Sequence, residues 1–178
     1  LFNLIASLLS EKTADSDRVA QDVLTADEEA GVDLDTDRQS LKILLAEDNL
    51  VNQKVAMAQL RKLGMRTVTA SNGLEAVAEV CRNNYALVFM DCQMPEMDGF
   101  EATQKIRNLE LKTGHHIPII GLTAHAMEGD RERCIASGMD DYLSKPTSLE
   151  RLSKILNKWL SDKSPDALPA YVKSDSGN

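Results

Sequence analysis

Four short apolar runs, each ending in a polar signal, constrain the fold of this chain more than any other feature. Lys42-Ile43-Leu44-Leu45-Ala46 runs into Glu47-Asp48, and Ala86-Leu87-Val88-Phe89-Met90 runs into Asp91. Ile117-Pro118-Ile119-Ile120-Gly121-Leu122 runs into Thr123-Ala124, and Tyr142-Leu143-Ser144 runs into Lys145-Pro146. Apolar runs of this length suit strands covered on both faces. If they lie parallel in one sheet, three carboxylates, a hydroxyl and an ammonium meet at a single edge. In open α/β sheets the ligand site lies at the carboxyl ends of the strands. The pattern therefore predicts a divalent metal, a phosphoryl group and a nucleophilic aspartate.

The segments between the runs carry helical periodicity. The expected order is strand 42–46, helix 50–63, strand 66–70, helix 73–83, strand 85–90, helix 100–111, strand 117–122, helix 127–137, strand 141–144 and helix 148–160. Gly64, Gly114 and Gly138 end the first, third and fourth helices. Leu74, Val77 and Cys81 are expected on one face of the second. Leu149, Leu152, Ile155, Leu156, Trp159 and Leu160 give the last helix a wide apolar stripe, with Ser148 as its N-cap. Strictly alternating strands and helices argue an α/β fold of five βα units around a parallel sheet.

The chain has 178 residues, enough for one domain plus extra segments. Leu1, Leu4, Ile5, Leu8 and Leu9 are helically spaced, so residues 1–9 are expected to end a helix of an upstream module. Residues 10–40 are expected to form an acidic flexible linker, a short helix packed on the domain being the alternative. Residues 41–160 form the domain, and residues 161–178 are expected to be a disordered tail. Of the net charge of −8, residues 1–40 hold −7, with ten acidic and three basic side chains. The domain is nearly neutral and lacks the basic stripe that nucleic acid calls for, so no nucleic-acid partner is expected. No apolar run approaches the ~20 residues that span a bilayer, so no direct membrane contact is expected. The first residues lack a basic lead and a cleavage site, so no signal peptide is expected. Three cysteines without a CxxC pair fit a reducing compartment and a cytoplasmic location.

Asp91 is the candidate nucleophile, because a carboxylate can attack phosphorus and form an acyl phosphate. Such an attack brings anions together, and Mg2+ offsets the charge while accepting one or two carboxylates. Asp48 and Asp91 are expected as direct ligands, Glu47 directly or through water, and Gln93 through its backbone carbonyl. Lys145 would set a fixed positive charge, and Thr123 a hydroxyl, against phosphoryl oxygens. Pro95 restricts the loop after Asp91, Gly99 is expected to supply unusual φ values, and Asp98 to cap the next helix. Pro146 leaves a cis or a trans bond open at Lys145. His115 and His116 lack a matched ligand set, and no metal role is expected of them.

Glu47-Asp48, Met90-Asp91-Cys92-Gln93-Met94-Pro95-Glu96-Met97-Asp98-Gly99, Leu122-Thr123-Ala124 and Lys145-Pro146 together resemble the receiver domain of two-component response regulators. The resemblance covers about residues 41–160. It implies a flavodoxin-like (βα)5 doubly wound parallel sheet with strand order 2-1-3-4-5. It also implies a phosphoryl group taken from a partner histidine. By motif position Asp91 resembles the phospho-acceptor, Glu47 and Asp48 the acidic pair, Thr123 the switch hydroxyl, Lys145 the essential lysine and Tyr142 the switch aromatic. Tyr142 also suits a plain half-buried strand position. Gln93 and His125 occupy positions that tune dephosphorylation in the family. The wording of Asn49-Leu50-Val51-Asn52-Gln53 and Ala124-His125-Ala126-Met127 is similar to receivers of hybrid sensor histidine kinases. The implied partners are a histidine kinase domain and a histidine phosphotransfer protein; a homodimer stays open.

Two other classes compete. A haloacid dehalogenase-type phosphatase also uses Asp, Lys and Mg2+, but it expects a second Asp where Gln93 stands and a nucleophile after the first strand. A receiver fold that only docks and is never phosphorylated needs no intact acidic site. A dinucleotide-binding oxidoreductase is disfavoured, because Ala46 to Val51 contains no glycine-rich loop.

Overall fold

The computed structural model describes residues 41–124 and 128–161. The expectations for the upstream helix 1–9, the linker 10–40, His125, Met127 and the tail from residue 162 lie outside the described residues. The elements are β1 (Lys42–Ala46), α1 (Leu50–Lys62), β2 (Arg66–Ala70), α2 (Gly73–Arg82), β3 (Leu87–Asp91), α3 (Gly99–Thr113), β4 (Ile119–Thr123), α4 (Glu128–Ala136), β5 (Asp141–Ser144) and α5 (Leu149–Leu160). The strands form one five-stranded sheet in the order β2-β1-β3-β4-β5. Every pairing is parallel. This is the doubly wound order expected, reversing direction between β1 and β3.

Side-chain alternation along each strand builds two cores, one on each face. Ile43, Leu45, Leu87, Phe89, Ile120 and Leu122 pack against Ala56 and Leu60 of α1 and Leu152, Ile155, Leu156 and Leu160 of α5. Leu44, Ala46, Val88, Met90 and Ile119 pack against Ala76 and Val80 of α2, Ala102 and Ile106 of α3 and Cys134 of α4. Asn49, Asn72, Asp98 and Ser148 cap α1, α2, α3 and α5, each accepting a backbone N–H of the first turn. Such caps hold the helix starts beside the strand ends. Gly64, Gly114 and Gly138 carry φ of 77°, 68° and 96°, the left-handed conformation that lets a chain leave a helix.

The structure moves several boundaries. β3 begins at Leu87 and includes Asp91, and β4 begins at Ile119 and includes Thr123. Pro118 has no N–H for the ladder, although its carbonyl still accepts from Val88. β2 is not covered on both faces: it is the sheet edge, and Arg66 and Val68 are exposed. On α2 the buried face is Gly73, Ala76 and Val80, while Leu74 is 48% exposed and Cys81 is half-buried. The cause is close approach to α3. A Cβ at Gly73 would stand 2.5 Å from the Met97 carbonyl oxygen and 3.0 Å from Ala102 Cβ. Small residues face the contact, and the bulkier leucine turns to solvent. Leu149 is likewise 41% exposed at the start of α5, outside the stripe.

At the amino-terminal edge of the sheet, Arg107 and Glu110 of α3 tie β4 to the start of β5. Arg107 donates to the carbonyls of Gly138 and Ile117 and to Glu110 and Asp140. Glu110, buried, also accepts from the Ile117 N–H at 2.7 Å. The two ring nitrogens of His116 reach different carboxylates, Glu110 and Asp140, an arrangement that buttresses a loop and does not converge on a metal. Glu110→Ala would leave the Ile117 amide without its acceptor and take away one of the two carboxylates paired with Arg107. Unfolding in urea should show a loss of about 3 kcal/mol; a loss under ~1 kcal/mol would show that the cluster does not hold this end together.

Candidate functional site

The carboxyl edge of the sheet gathers the polar ends of β1, β3, β4 and β5. Glu47 directly follows β1 and donates its N–H to Ala70 of β2 at 3.0 Å. Asp91 ends β3 and Thr123 ends β4, and all three side chains are buried. Lys145 follows β5, and its N–H donates to the Thr123 carbonyl at 2.7 Å, which locks the two strand ends together. The Lys145–Pro146 bond is cis. The Lys145 ammonium lies 2.5 Å from Asp91 Oδ2 and 2.6 Å from Glu47 Oε2.

Asp48 stands beside this pair, exposed. Glu47, Asp48 and Asp91 each offer a carboxylate oxygen, and the three oxygens lie within 4.8 Å of one another. A set of two buried and one open oxygen ligand matches the needs of a hard divalent cation, which keeps some water and takes few carboxylates. The residues present therefore fit Mg2+. Gln93 is exposed, and its N–H donates to Asp91 Oδ1 at 3.1 Å. Asp91 Oδ1 and Oδ2 are thus held by different partners, so the carboxylate has a fixed orientation.

The electrostatics follow from three carboxylates against one ammonium. Burial pushes the Asp91 carboxyl up from its ordinary value; the bonds from Lys145 and Gln93 oppose this without cancelling it, and the Glu47 charge adds to the rise. For Lys145, burial alone would lower the ammonium, but the bonds to Asp91 and Glu47 outweigh it and raise it. The site is short of positive charge and holds its lysine protonated.

Two residues with no role assigned from sequence orient the acidic pair. Asn52 of α1 donates to Glu47 Oε1 at 2.9 Å, and Gln53 donates to the Glu47 carbonyl at 2.5 Å. The signal was an Asn-Gln pair one helical turn after the acidic pair. Tyr142 is half-buried on β5 and packs, with Met94 and Phe100, against the core on the α2–α4 face. Beside the acidic cup a cleft of about 480 Å3 is lined by Asp48, Gln93, Phe100 and Arg133 among others. Arg133 stacks over the Phe100 ring, 4.6 Å from its centre. A larger groove of about 590 Å3 lies between α1 and β2 and contains no carboxylate, whereas Glu47 and Lys145 line a cleft of about 190 Å3 on the other side of the cup.

Gly99 is needed for a different reason from the one its sequence context suggests. Its φ is not left-handed; that conformation belongs to Glu96, at 66°. A Cβ at Gly99 would instead stand 2.1 Å from the Asp91 carbonyl oxygen, because the Gly99 N–H bonds the Cys92 carbonyl and folds the loop back on β3. Asp98 caps α3 as expected, accepting from Glu101 at 2.8 Å. Gly99→Ala should lower stability by about 2 kcal/mol, read by calorimetry, since backbone meets backbone and no side chain can yield. An unchanged unfolding temperature would contradict this packing.

A doubly wound parallel sheet with an acidic cup closed by a lysine defines a receiver-like α/β domain. Comparison with known proteins agrees: the model of the response regulator receiver domain matches residues 43–157, and the chain belongs to that family. It is 46% identical over 118 residues to the hybrid signal transduction protein dokA of Dictyostelium discoideum, covering 66% of this chain and 7% of that protein. It is 38% identical to histidine kinase 1 of Arabidopsis thaliana, covering 66% of this chain and 13% of that one. The chain thus spans a small part of the length of these relatives. Among solved structures it resembles the receiver domain of sensor histidine kinase PA1611 from Pseudomonas aeruginosa PAO1, crystallised with a magnesium ion in its active site cleft. The TM-score is 0.63 at 46% identity, covering 68% of this chain and 98% of that one. It also resembles a structure of the Saccharomyces cerevisiae phosphotransfer protein Ypd1 with the receiver domain of Ssk1, with TM-score 0.64 at 34% identity, covering 70% and 95%. Among the described residues no helix is long and apolar enough to cross a membrane.

Proposed function

We propose that this domain accepts a phosphoryl group on Asp91 from a phosphohistidine donor, in the presence of Mg2+, as part of a hybrid sensor histidine kinase. One observation carries the proposal: Asp91 is buried, oriented through both oxygens, and placed beside two further carboxylates and the Lys145 ammonium. Glu47, Asp48, Asp91 and the Gln93 carbonyl would hold the Mg2+. Bound there, the ion would offset the charge of the phosphoryl oxygens and of the carboxylates.

One Asp91 oxygen attacks phosphorus as the P–N bond to the donor imidazole breaks, and the imidazole leaves with its electron pair and takes up a proton. Lys145 steadies a phosphoryl oxygen, and the Thr123 hydroxyl moves to bond another. Tyr142 then turns toward the space that Thr123 vacates, which biases the β4–α4–β5 face. A bias of about 3 kcal/mol changes the population ratio roughly 150-fold. Leu50, Val51 and Val55 are half or more exposed on α1 beside the cup. They supply an apolar seat for a histidine kinase domain or a histidine phosphotransfer protein. The Ypd1 complex of a structural neighbour supports that partner class. Three cysteines without a CxxC pair support a reducing, cytoplasmic setting.

The test uses acetyl phosphate as a small donor. With Mg2+, intact mass spectrometry should show one phosphoryl addition per chain, and chelation of the metal should reduce it to background. Steady phosphate release from unrelated phosphomonoesters, without a covalent adduct, would instead support the phosphatase class.

A further inference from the structure

Cys92 and Cys134 lie in different elements, yet their Sγ atoms are 3.7 Å apart. Cys92 follows Asp91 directly, and Cys134 sits on α4. Their residues are 5% and 0% exposed. The two sulfurs meet over Gly121 of β4. A Cβ there would stand 3.0 Å from the sulfur of Cys134 and 3.5 Å from that of Cys92. The missing side chain leaves the volume in which the thiols face each other. Cys92 also lines the cleft that holds Asp48 and Arg133.

We propose that Cys92 and Cys134 form a reversible disulfide site, oxidised by a peroxide and reset by a thiol reductant. A disulfide needs the sulfurs about 2.05 Å apart, so they must close a gap of about 1.7 Å. In the first step the Cys134 sulfur, which the bond from Cys92 holds below its ordinary value while Cys92 itself is pushed up, attacks a peroxide oxygen as its thiolate. The O–O bond breaks, a sulfenic acid forms, and the other oxygen leaves as water or alcohol. In the second step the Cys92 sulfur attacks the Cys134 sulfur. The S–S bond forms, the S–O bond breaks, and the departing oxygen leaves as water. Two thiols lose two electrons and two protons, and one hydrogen peroxide becomes two waters. A thiol reductant reverses the bond by exchange. The bridge ties the residue after Asp91 to α4, and so joins the acidic edge to a helix on the opposite side of β4. In a reducing compartment the dithiol is the resting form and the bridge is transient.

The full chain, with its three cysteines, is treated with hydrogen peroxide, denatured, alkylated with a maleimide and analysed as intact protein and as peptides. Maleimide adducts should fall from three to one, with the remaining adduct on Cys81. A linked peptide pair containing Cys92 and Cys134 should appear, and a thiol reductant should restore all three adducts. In Cys92→Ser the linked pair should vanish while Cys134 becomes trappable as a sulfenic acid. Three adducts after peroxide, or a bridge that involves Cys81, would overturn the proposal. So would Cys134 oxidised beyond sulfenic acid while Cys92 is still alkylated. None of these readouts requires phosphorylation, so failure here and failure of the phosphoryl-transfer role are separable.

Discussion

Asp91→Asn will leave the domain folded and abolish its covalent phosphorylation. Asparagine keeps the shape and can still accept the Gln93 N–H, which bonds Asp91 Oδ1 at 3.1 Å. It lacks the anionic oxygen that must attack phosphorus. Lys145 keeps its pair with Glu47 at 2.6 Å. Stability should not suffer. Burial raises the Asp91 carboxyl above its ordinary value in the fold. An acid raised in this way loses stability as pH rises through its folded pKa, because the unfolded chain ionises more readily. A neutral side chain escapes that loss. Without divalent metal, the variant's unfolding temperature at neutral pH should equal or exceed that of the parent. Phosphoryl incorporation from a saturating donor with Mg2+ should fall to background. Incorporation at the parental rate would move the nucleophile to another residue.

Lys145→Ala should cost more in stability and leave a slow residual phosphorylation. The ammonium touches Asp91 and Glu47 at once, so its removal leaves two buried carboxylates without a cation. Breaking a buried pair costs about 3–5 kcal/mol, and the partial exposure of Lys145, 23%, favours the lower end. A bound cation would replace the missing charge, so Mg2+ should raise the unfolding temperature of the variant more than that of the parent. The phosphorylation rate should drop by about 10²–10³, the usual effect of deleting one preorganised charge at a reacting oxygen. Equal rates in variant and parent would show that Lys145 serves the fold alone.

Much of this architecture was legible in the sequence, for a physical reason. Strands buried on both faces must be apolar throughout, so Ile43 to Ala46 and Leu87 to Met90 announce themselves. The polar residues that break those runs stand where the ladder ends and a ligand can approach. Side chains that make long-range contacts were harder to place. Leu74 looked like a core residue because it is apolar, but α2 meets α3 through Gly73 and needs small side chains there. Arg66 to Ala70 lacks the continuous apolar run of the other strands, and the expected order 2-1-3-4-5 already sets β2 at an edge, where one face meets water. The motif around Gly99 suggests a need for backbone freedom. The glycine's role is to let the loop touch the Asp91 carbonyl, a contact between segments that no local pattern encodes. The holds of Asn52 and Gln53 on Glu47 were similarly hidden, since a polar pair on a helix usually faces water. The approach of Cys92 to Cys134 depends on β3 and α4 flanking the same glycine of β4.

The central claim is that the carboxylate cup, with a divalent cation, makes a single oxygen of Asp91 reactive toward a donated phosphoryl group. The most direct measurement is borohydride trapping of the acyl phosphate, followed by peptide mapping. With donor and Mg2+, Asp91 should be converted to homoserine, and the conversion should disappear when the metal is chelated. Conversion at any other carboxylate, or the same yield at Asp91 without divalent metal, would contradict the account.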